Sequence, residues 1–277
     1  MGENEVCQEW LTFSCKGGKR SCLRPQIMDI LLTNDDGIRA LGIRTLYHEL
    51  VRQKHTVHVV APMRQQSGVS QCLTIFEPLR VTDFQDGDYQ GYGVYGTPAD
   101  CVKVALGALL TQRPDLVISG INLGCNVGPD LFYSGTVAAA IEGSQAGIPS
   151  LAVSYDDHNA RSVREQAAHL AQLMLRIPWQ DLASQRVINI NYPARPIKEV
   201  LGTYVCRQSP AVWENVYQPC RDPRGKPYFW LVGDIKEECI GADSDKALLA
   251  KGYITVSPLR FDFTDTESLA LLHKHLA

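Results

Sequence analysis

Asn34-Asp35-Asp36-Gly37 sets two neighbouring carboxylates at the end of the apolar run MDILLT, with a glycine directly behind them. Two carboxylates forced close together repel unless a cation or a shared proton relieves them, so a hard-cation site is one reading of the pair. A polar turn in which Asn34 or Asp35 caps the following segment is the other. Three more clusters carry related chemistry. Ser67 and Ser70 lie in the polar, glycine-containing stretch APMRQQSGVSQ. Asn122 and Asn126 are separated by glycine in INLGCNVGPD; an asparagine amide donates to phosphate through its nitrogen and offers its carbonyl oxygen to a hard cation. Ser134-Gly135-Thr136 opens a small, apolar segment that reads as a helix, and the free N–H groups and dipole at a helix start favour an anion. Each cluster alone has an ordinary use as a turn or cap. Together they supply oxygens for a cation and donors for the phosphate that the cation would bridge, which points to metal-assisted phosphate chemistry.

Such residues must be brought to one place by the elements around them. MDILLT, TVHVVAP, PDLVISG, SLAVSYD and RVININYP read as strands, and ALGIRTLYHELVRQ as an amphipathic helix. Further helices are predicted over GTPADCVKVALGALL, from about Ser134 to a stop at Gly147 and Pro149, and from Arg161 to Arg176. Thr97, Pro98 and Asp100 form a cap and first turn for the GTPADCVKVALGALL helix. LTIFEP, LRVTDF and QGYGVYG look like short strands decorating the sheet. This alternation predicts an α/β fold, a Rossmann-like, mostly parallel sheet with helices on both faces. Ligands of such sheets bind beyond the carboxyl ends of the strands, and all four clusters fall there.

From about Lys198 the texture changes. Pro210, Pro219, Pro223 and Pro227 punctuate aromatic pieces such as PYFWLVGD, GYITVSPL is a further strand, and a Thr264-to-Glu267 capping box opens a final amphipathic helix. The expected division is a loose N-terminal extension over 1–27, a catalytic core over 28–197, and a β-rich C-terminal extension over 198–277 involved in self-association. Met28, just before the first strand, is an alternative start of translation.

Composition narrows the functional classes. Of 277 residues, 45% are hydrophobic and 21% charged, which describes an ordinary globular chain with no membrane span. Thirty acidic against 27 basic residues leave no field for a polyanion, so nucleic acid is not an expected partner. The nine cysteines are odd in number and never spaced C-x-x-C, which favours reduced thiols in a cytoplasmic protein. The N-terminal stretch lacks the apolar run of a signal peptide. No G-x-G-x-x-G follows the first strand, and neither a Walker loop nor a G-x-S-x-G elbow occurs. Of the seven histidines only His158 lies near the inferred active edge, where a surface role is the favoured reading.

ILLTNDDGI, VVAPMRQQSGVS, GTPADCV, LVISGINLGCNVG and YSGTVAAAIEG together closely resemble the SurE (survival protein E) family of metal-dependent nucleotidases. The resemblance runs from Met28 to about Ala277 and takes in RQSP, DPRGKPYFW and GYITVSPL. It implies hydrolysis of nucleoside 5'- and 3'-monophosphates, with short polyphosphate a further substrate of some members. It also implies one divalent ion per subunit, manganese, magnesium or cobalt, held by Asp35, Asp36, Ser67 and Asn122. Asn126 and Ser134, Gly135 and Thr136 match positions associated with phosphate. The family's C-terminal part is exchanged between subunits, which implies dimers or tetramers. Asp35 and Asp36 are the expected catalytic residues, with Asp35 a candidate acceptor for the proton of water. Two alternatives stand beside this: a non-catalytic nucleotide-binding sensor, and a phosphatase acting mainly on other small phosphate esters.

Overall fold

The first strand, β1 (Asp29–Thr33), is buried along nearly its whole length, as the central strand of a parallel sheet must be. The computed structural model describes residues 27–182, 186–236 and 240–276, so the expected loose extension lies, but for Ile27, outside the described residues. Around β1 the chain forms a nine-stranded sheet in the order β3-β4-β2-β1-β5-β6-β7-β11-β8. Its members are β2 (Thr56–Pro62), β3 (Arg80–Asp86), β4 (Tyr89–Tyr95), β5 (Leu116–Leu123), β6 (Ser150–Tyr155), β7 (Arg186–Tyr192), β8 (Thr203–Val205) and β11 (Ile254–Arg260). β1 pairs in parallel with β2 on one side and β5 on the other, and β6 and β7 continue in parallel. β3 on β4 and β11 on β7 are the antiparallel pairs. The chain therefore leaves β1 in one direction and later returns to its other side, the reversal at which α/β sheets open a crevice.

Alternate residues of the strands feed two cores. Ile30 and Leu32 join Ile43, Leu46 and Leu50 of α1 (Leu41–Arg52) with Ala167 and Leu170 of α4 (Arg164–Leu173). Leu31, Val60 and Val117 face the other way, against Cys101 and Val102 of α2 (Pro98–Val104) and Ala139 of α3 (Gly135–Gln145). Helices thus cover both faces, and each fully buried leucine contributes about 2 kcal/mol. The small residues of α3 let it lie close to the sheet: a Cβ at Gly143 would come within 2.7 Å of the Val117 and Ser150 side chains.

Local signals were mostly realised. Thr97 and Asp100 form the reciprocal capping box of α2, which is followed directly by a π-helical turn over Ala105–Leu109. LTIFEP is not a strand. Thr74 is drawn instead to the Asp100 carboxylate through its amide and hydroxyl (3.0 and 2.6 Å), while Ile75 and Phe76 are exposed. The apolar run there has no face to bury. At the other end, α6 (Thr266–Leu276) is capped by Asp265, which accepts from the amides of Glu267 and Ser268 at 3.1 and 3.2 Å; the predicted Thr264–Glu267 box is displaced by one residue because the neighbouring carboxylate is the stronger acceptor.

After residue 198 the chain does two things. β8 and β11 complete the main sheet, while β9 (Tyr217–Arg221) and β10 (Pro227–Leu231) pair as a separate antiparallel hairpin. Between this hairpin and β11, α5 (Asp245–Lys251) is capped by Ser244 and stopped by Gly252 in the left-handed region. Among the described residues no helix is long and apolar enough to cross a membrane.

Candidate active site

β1 stops because Asn34 folds its side chain back on the main chain. Its Nδ2 donates to the Gly37 carbonyl at 3.0 Å and its Oδ1 accepts from the Gly37 amide at 3.2 Å. Gly37, at φ +101°, supplies the left-handed conformation the turn needs. So Asn34 makes the turn, and the two acids are released from the strand alternation that would send them to opposite faces.

Asp35 is 4% exposed and points to the start of α3, where the Thr136 hydroxyl donates to its Oδ1. Its main-chain carbonyl accepts from the Gln66 amide at 2.8 Å, which brings the Ser67 loop alongside. Gly135 closes the third side: a Cβ there would meet the Asp35 Cβ at 2.8 Å and the Gln66 carbonyl at 3.0 Å. Asp36 turns to the end of β5 and accepts from the Leu123 amide at 3.2 Å. Asn122, beside it, spends its amide nitrogen on the Gly124 carbonyl at 2.7 Å, which leaves its side-chain oxygen as the end available to a ligand. The Ser67 hydroxyl is exposed and accepts from Gln65 at 3.0 Å.

Electrostatics follow from this crowding. Burial raises the Asp35 carboxyl from 3.8 to about 6; the Thr136 hydroxyl works against that rise and the Asp36 charge adds to it. Burial also raises Asp36, against the pull of the Leu123 amide and of His158. The two carboxylates therefore feel one another although their hydrogen bonds diverge. Among the described residues no group of three His, Cys, Asp or Glu side chains gathers around a common point, so a cation here would rest on two carboxylates and neutral oxygens.

On the anion side, Ser134 caps α3 by accepting from the Val137 amide at 3.1 Å. That leaves the Gly135 and Thr136 amides as the donors at the helix start.

The chain matches the family model described as "Survival protein SurE" over residues 30–215. It is 55% identical over 250 residues to a "5'-nucleotidase SurE" of Desulfovibrio desulfuricans, covering 88% of this chain and 97% of that one. It is 44% identical over 248 residues to the protein of the same name from Lawsonia intracellularis, with coverages of 90% and 99%. The chain belongs to the SurE family. The crystal structure of SurE from Aquifex aeolicus superposes with a TM-score of 0.73 at 35% identity, over 88% of this chain and 99% of that one. The fold described above is therefore the SurE fold, an α/β sheet with an added antiparallel strand pair toward the C-terminus.

Within this SurE chain, not every residue singled out by sequence meets the others. Asn126 is buried in a polar knot: its amide nitrogen donates to Ser154 at 2.8 Å, its main-chain N–H to Asn191, and its carbonyl accepts from Asn189 and Asn191. That knot ties the loop after β5 to β6 and β7, and it engages one of the two N–H donors of the Asn126 amide. The Thr136 hydroxyl is likewise committed to Asp35. His158 is exposed, as the sequence reading has it, and stands over Gly124, where a Cβ would meet its ring at 2.2 Å; it is also among the groups that pull the Asp36 carboxyl down. Burial first, with nearby Asp156, pushes the Cys125 thiol up to about 12.

Proposed function

We propose that the chain is a 5'-nucleotidase, a phosphomonoesterase that hydrolyses nucleoside 5'- and 3'-monophosphates to nucleoside and phosphate with the help of one divalent ion per subunit, manganese, magnesium or cobalt. One observation carries the reading: a nine-tenths buried carboxylate, crowded by a second one, lies against the open N-terminus of α3. Acids packed so closely call for a positive charge between them, and a helix start calls for an anion.

The donor set fits a hard cation. Asp35 and Asp36 supply the charge, and Asn122 and Ser67 neutral oxygens, with the Asn122 oxygen selected by the bond its nitrogen makes to Gly124. Such an ion supplies Lewis-acid polarisation of a phosphoryl oxygen and a lowered pKa for water. The protein does the rest. The Gly135 and Thr136 amides bind the phosphate oxygens and meet the charge that develops on them. The Thr136 hydroxyl fixes Asp35 through Oδ1, which leaves Oδ2 to take the proton as the water oxygen bonds to phosphorus. The P–O bond to the nucleoside breaks, and the leaving oxygen takes up a proton from solvent.

Self-association as a dimer or tetramer belongs to this reading. Tyr228, Phe229, Trp230 and Leu231 of β10 and Leu269, Leu272 and Leu276 of α6 are all exposed, and large apolar side chains left on the surface suit contact with a second subunit. A cytoplasmic setting, with short polyphosphate as a further substrate, completes it. The test is phosphate release from nucleoside monophosphates, sugar phosphates and short polyphosphate across divalent ions, with and without chelator, for the natural protein and Asp36→Asn. Loss of roughly 10²-fold or more in the variant is expected. Undiminished turnover in a folded Asp36→Asn protein, or in chelator, would overturn the metal mechanism. Equal rates on sugar phosphates would demote the nucleotidase.

A further inference from the structure

The turn that leads into α3 is held from the far end of the chain. Gly128–Phe132 form a 3-10 turn, and the Ser134 amide donates back to the Asp130 carbonyl at 3.0 Å. Asp245, the first residue of α5, sends its carboxylate into this turn. Its Oδ2 accepts from the Gly128 amide at 3.0 Å, and its Oδ1 from the amides of Ser209 and Lys246 at 2.8 and 2.7 Å. The side chain is fully buried. Gln208 grips the same residue from the other direction, donating to the Gly128 carbonyl at 2.7 Å, and the Trp213 indole donates to the Asp130 carboxylate at 2.8 Å. Gly128 itself sits at φ +55°, and a Cβ there would press on Ser209 at 3.2 Å. The opposite side of the turn carries the Ser67 loop: Ser70 donates its hydroxyl to the Phe132 carbonyl at 2.7 Å and its amide to the Tyr133 carbonyl at 3.0 Å.

One short turn thus joins three things: the anion-binding start of α3, the loop that brings Ser67 to the acids, and the C-terminal part of the chain. A carboxylate taken fully out of water is tolerated only when its oxygens are met, and here backbone amides from three separate segments meet them. That is more than capping of α5 requires, because Ser244 already caps that helix. We propose that Asp245 is a positioning residue for phosphate binding, which fixes the Gly128–Ser134 turn and through it the donors of Gly135 and Thr136. The inference rests on the reading of α3 as the phosphate site. It assigns the C-terminal part a role within each subunit's own site, separate from any role in self-association.

Asp245→Asn tests it. The variant keeps one oxygen for Ser209 and Lys246 but turns an amide nitrogen toward the Gly128 N–H, so the hold on the turn is lost with little change in volume. The control is Leu249→Ala, a buried residue of the same helix one turn beyond Asp245, which lowers stability without removing any of the hydrogen bonds that hold the turn. Two measurements are made on the full chain: hydrogen exchange across residues 128–136, and KM and kcat for a nucleoside 5'-monophosphate together with inhibition by inorganic phosphate. Asp245→Asn is expected to speed exchange in that segment and to raise KM and the phosphate inhibition constant roughly tenfold; Leu249→Ala is expected to lower Tm and leave both unchanged. Normal exchange and an unchanged KM in Asp245→Asn would overturn the proposal, as would the same shifts in Leu249→Ala. If Asp245→Asn fails to fold, Gln208→Ala removes the neighbouring hold and is expected to act in the same direction. Absence of phosphate release in the natural protein would refute the nucleotidase, while the exchange measurement would still decide the turn.

Discussion

Gly135→Ala is the smallest change that probes how closely α3 is pressed on the acidic pair. An added Cβ would stand 2.8 Å from the Asp35 Cβ, 3.0 Å from the Gln66 carbonyl and 3.1 Å from the Pro98 ring. None of these is the free end of a flexible side chain, so the helix start has to move. Restoring the closest approach to about 3.4 Å, where ordinary contact begins, requires a shift of about 0.6 Å. A misplacement of about 1 Å typically costs about 10²-fold in rate, so the loss in kcat/KM is expected to be roughly tenfold or somewhat more. Stability moves less. Overpacking costs about 1–3 kcal/mol, which amounts to a few degrees in Tm. The assay is phosphate release from a nucleoside monophosphate alongside thermal unfolding. Full activity at an unchanged Tm would refute the close packing of α3 on Asp35, and an unfolded protein with its activity lost through Tm alone would refute the claim that the effect is local.

Three further outcomes are expected. In ion-free protein Asp35, raised from 3.8 to about 6, holds its proton more tightly when folded than when unfolded, so its stabilising contribution is full below about pH 4 and is lost as pH rises through about 6. The difference is about 3 kcal/mol, so Asp35→Asn is expected to be more stable than the natural protein at pH 8 without ions, and to lose the rise in Tm that added divalent ion otherwise brings; thermal unfolding across pH checks both. Thr136→Val removes the hydroxyl that works against the burial of Asp35, so carboxyl titration of ion-free protein should move further up from about 6, and a fixed midpoint would show that the bond contributes nothing. Trp230→Glu places a charge on the exposed face of β10 and is expected to shift the protein toward monomer in sedimentation, with the Asp35 site intact.

Sequence carried the site a long way because its parts are local. Asn34 to Gly37 hold their own turn, Thr97 and Asp100 their own cap, and Ser134 its own helix start, each within three residues. What escaped is long-range. The partner of Thr136 is Asp35, 101 residues away, and that of Asp245 is Gly128, 117 away. A threonine in a helix's first turn and an aspartate in ADSDK are both ordinary in composition, and only the topology of the sheet decides whom they meet. LTIFEP misled for the complementary reason: hydrophobicity marks a strand only where a face exists to receive it, and the Asp100 carboxylate claims Thr74 instead. His158 was placed correctly at a strand end, but nothing in its surroundings in sequence marks Gly124 as the gap beneath its ring.

The place of β1 between β2 and β5 also sets an order of events during synthesis. β2 follows within a few dozen residues, but the Leu123 amide that meets Asp36 is 87 residues downstream. At typical elongation of about 5–20 residues per second, that separation corresponds to roughly 4–17 s on the ribosome. Through that interval the side of β1 that will receive β5 is an open edge of apolar residues, the kind of surface that recruits a neighbouring chain. Asp35 and Asp36 stand at its tip, and charge at a strand's end discourages such recruitment. The carboxylates of the proposed cation site would first act as gatekeepers of a half-built sheet.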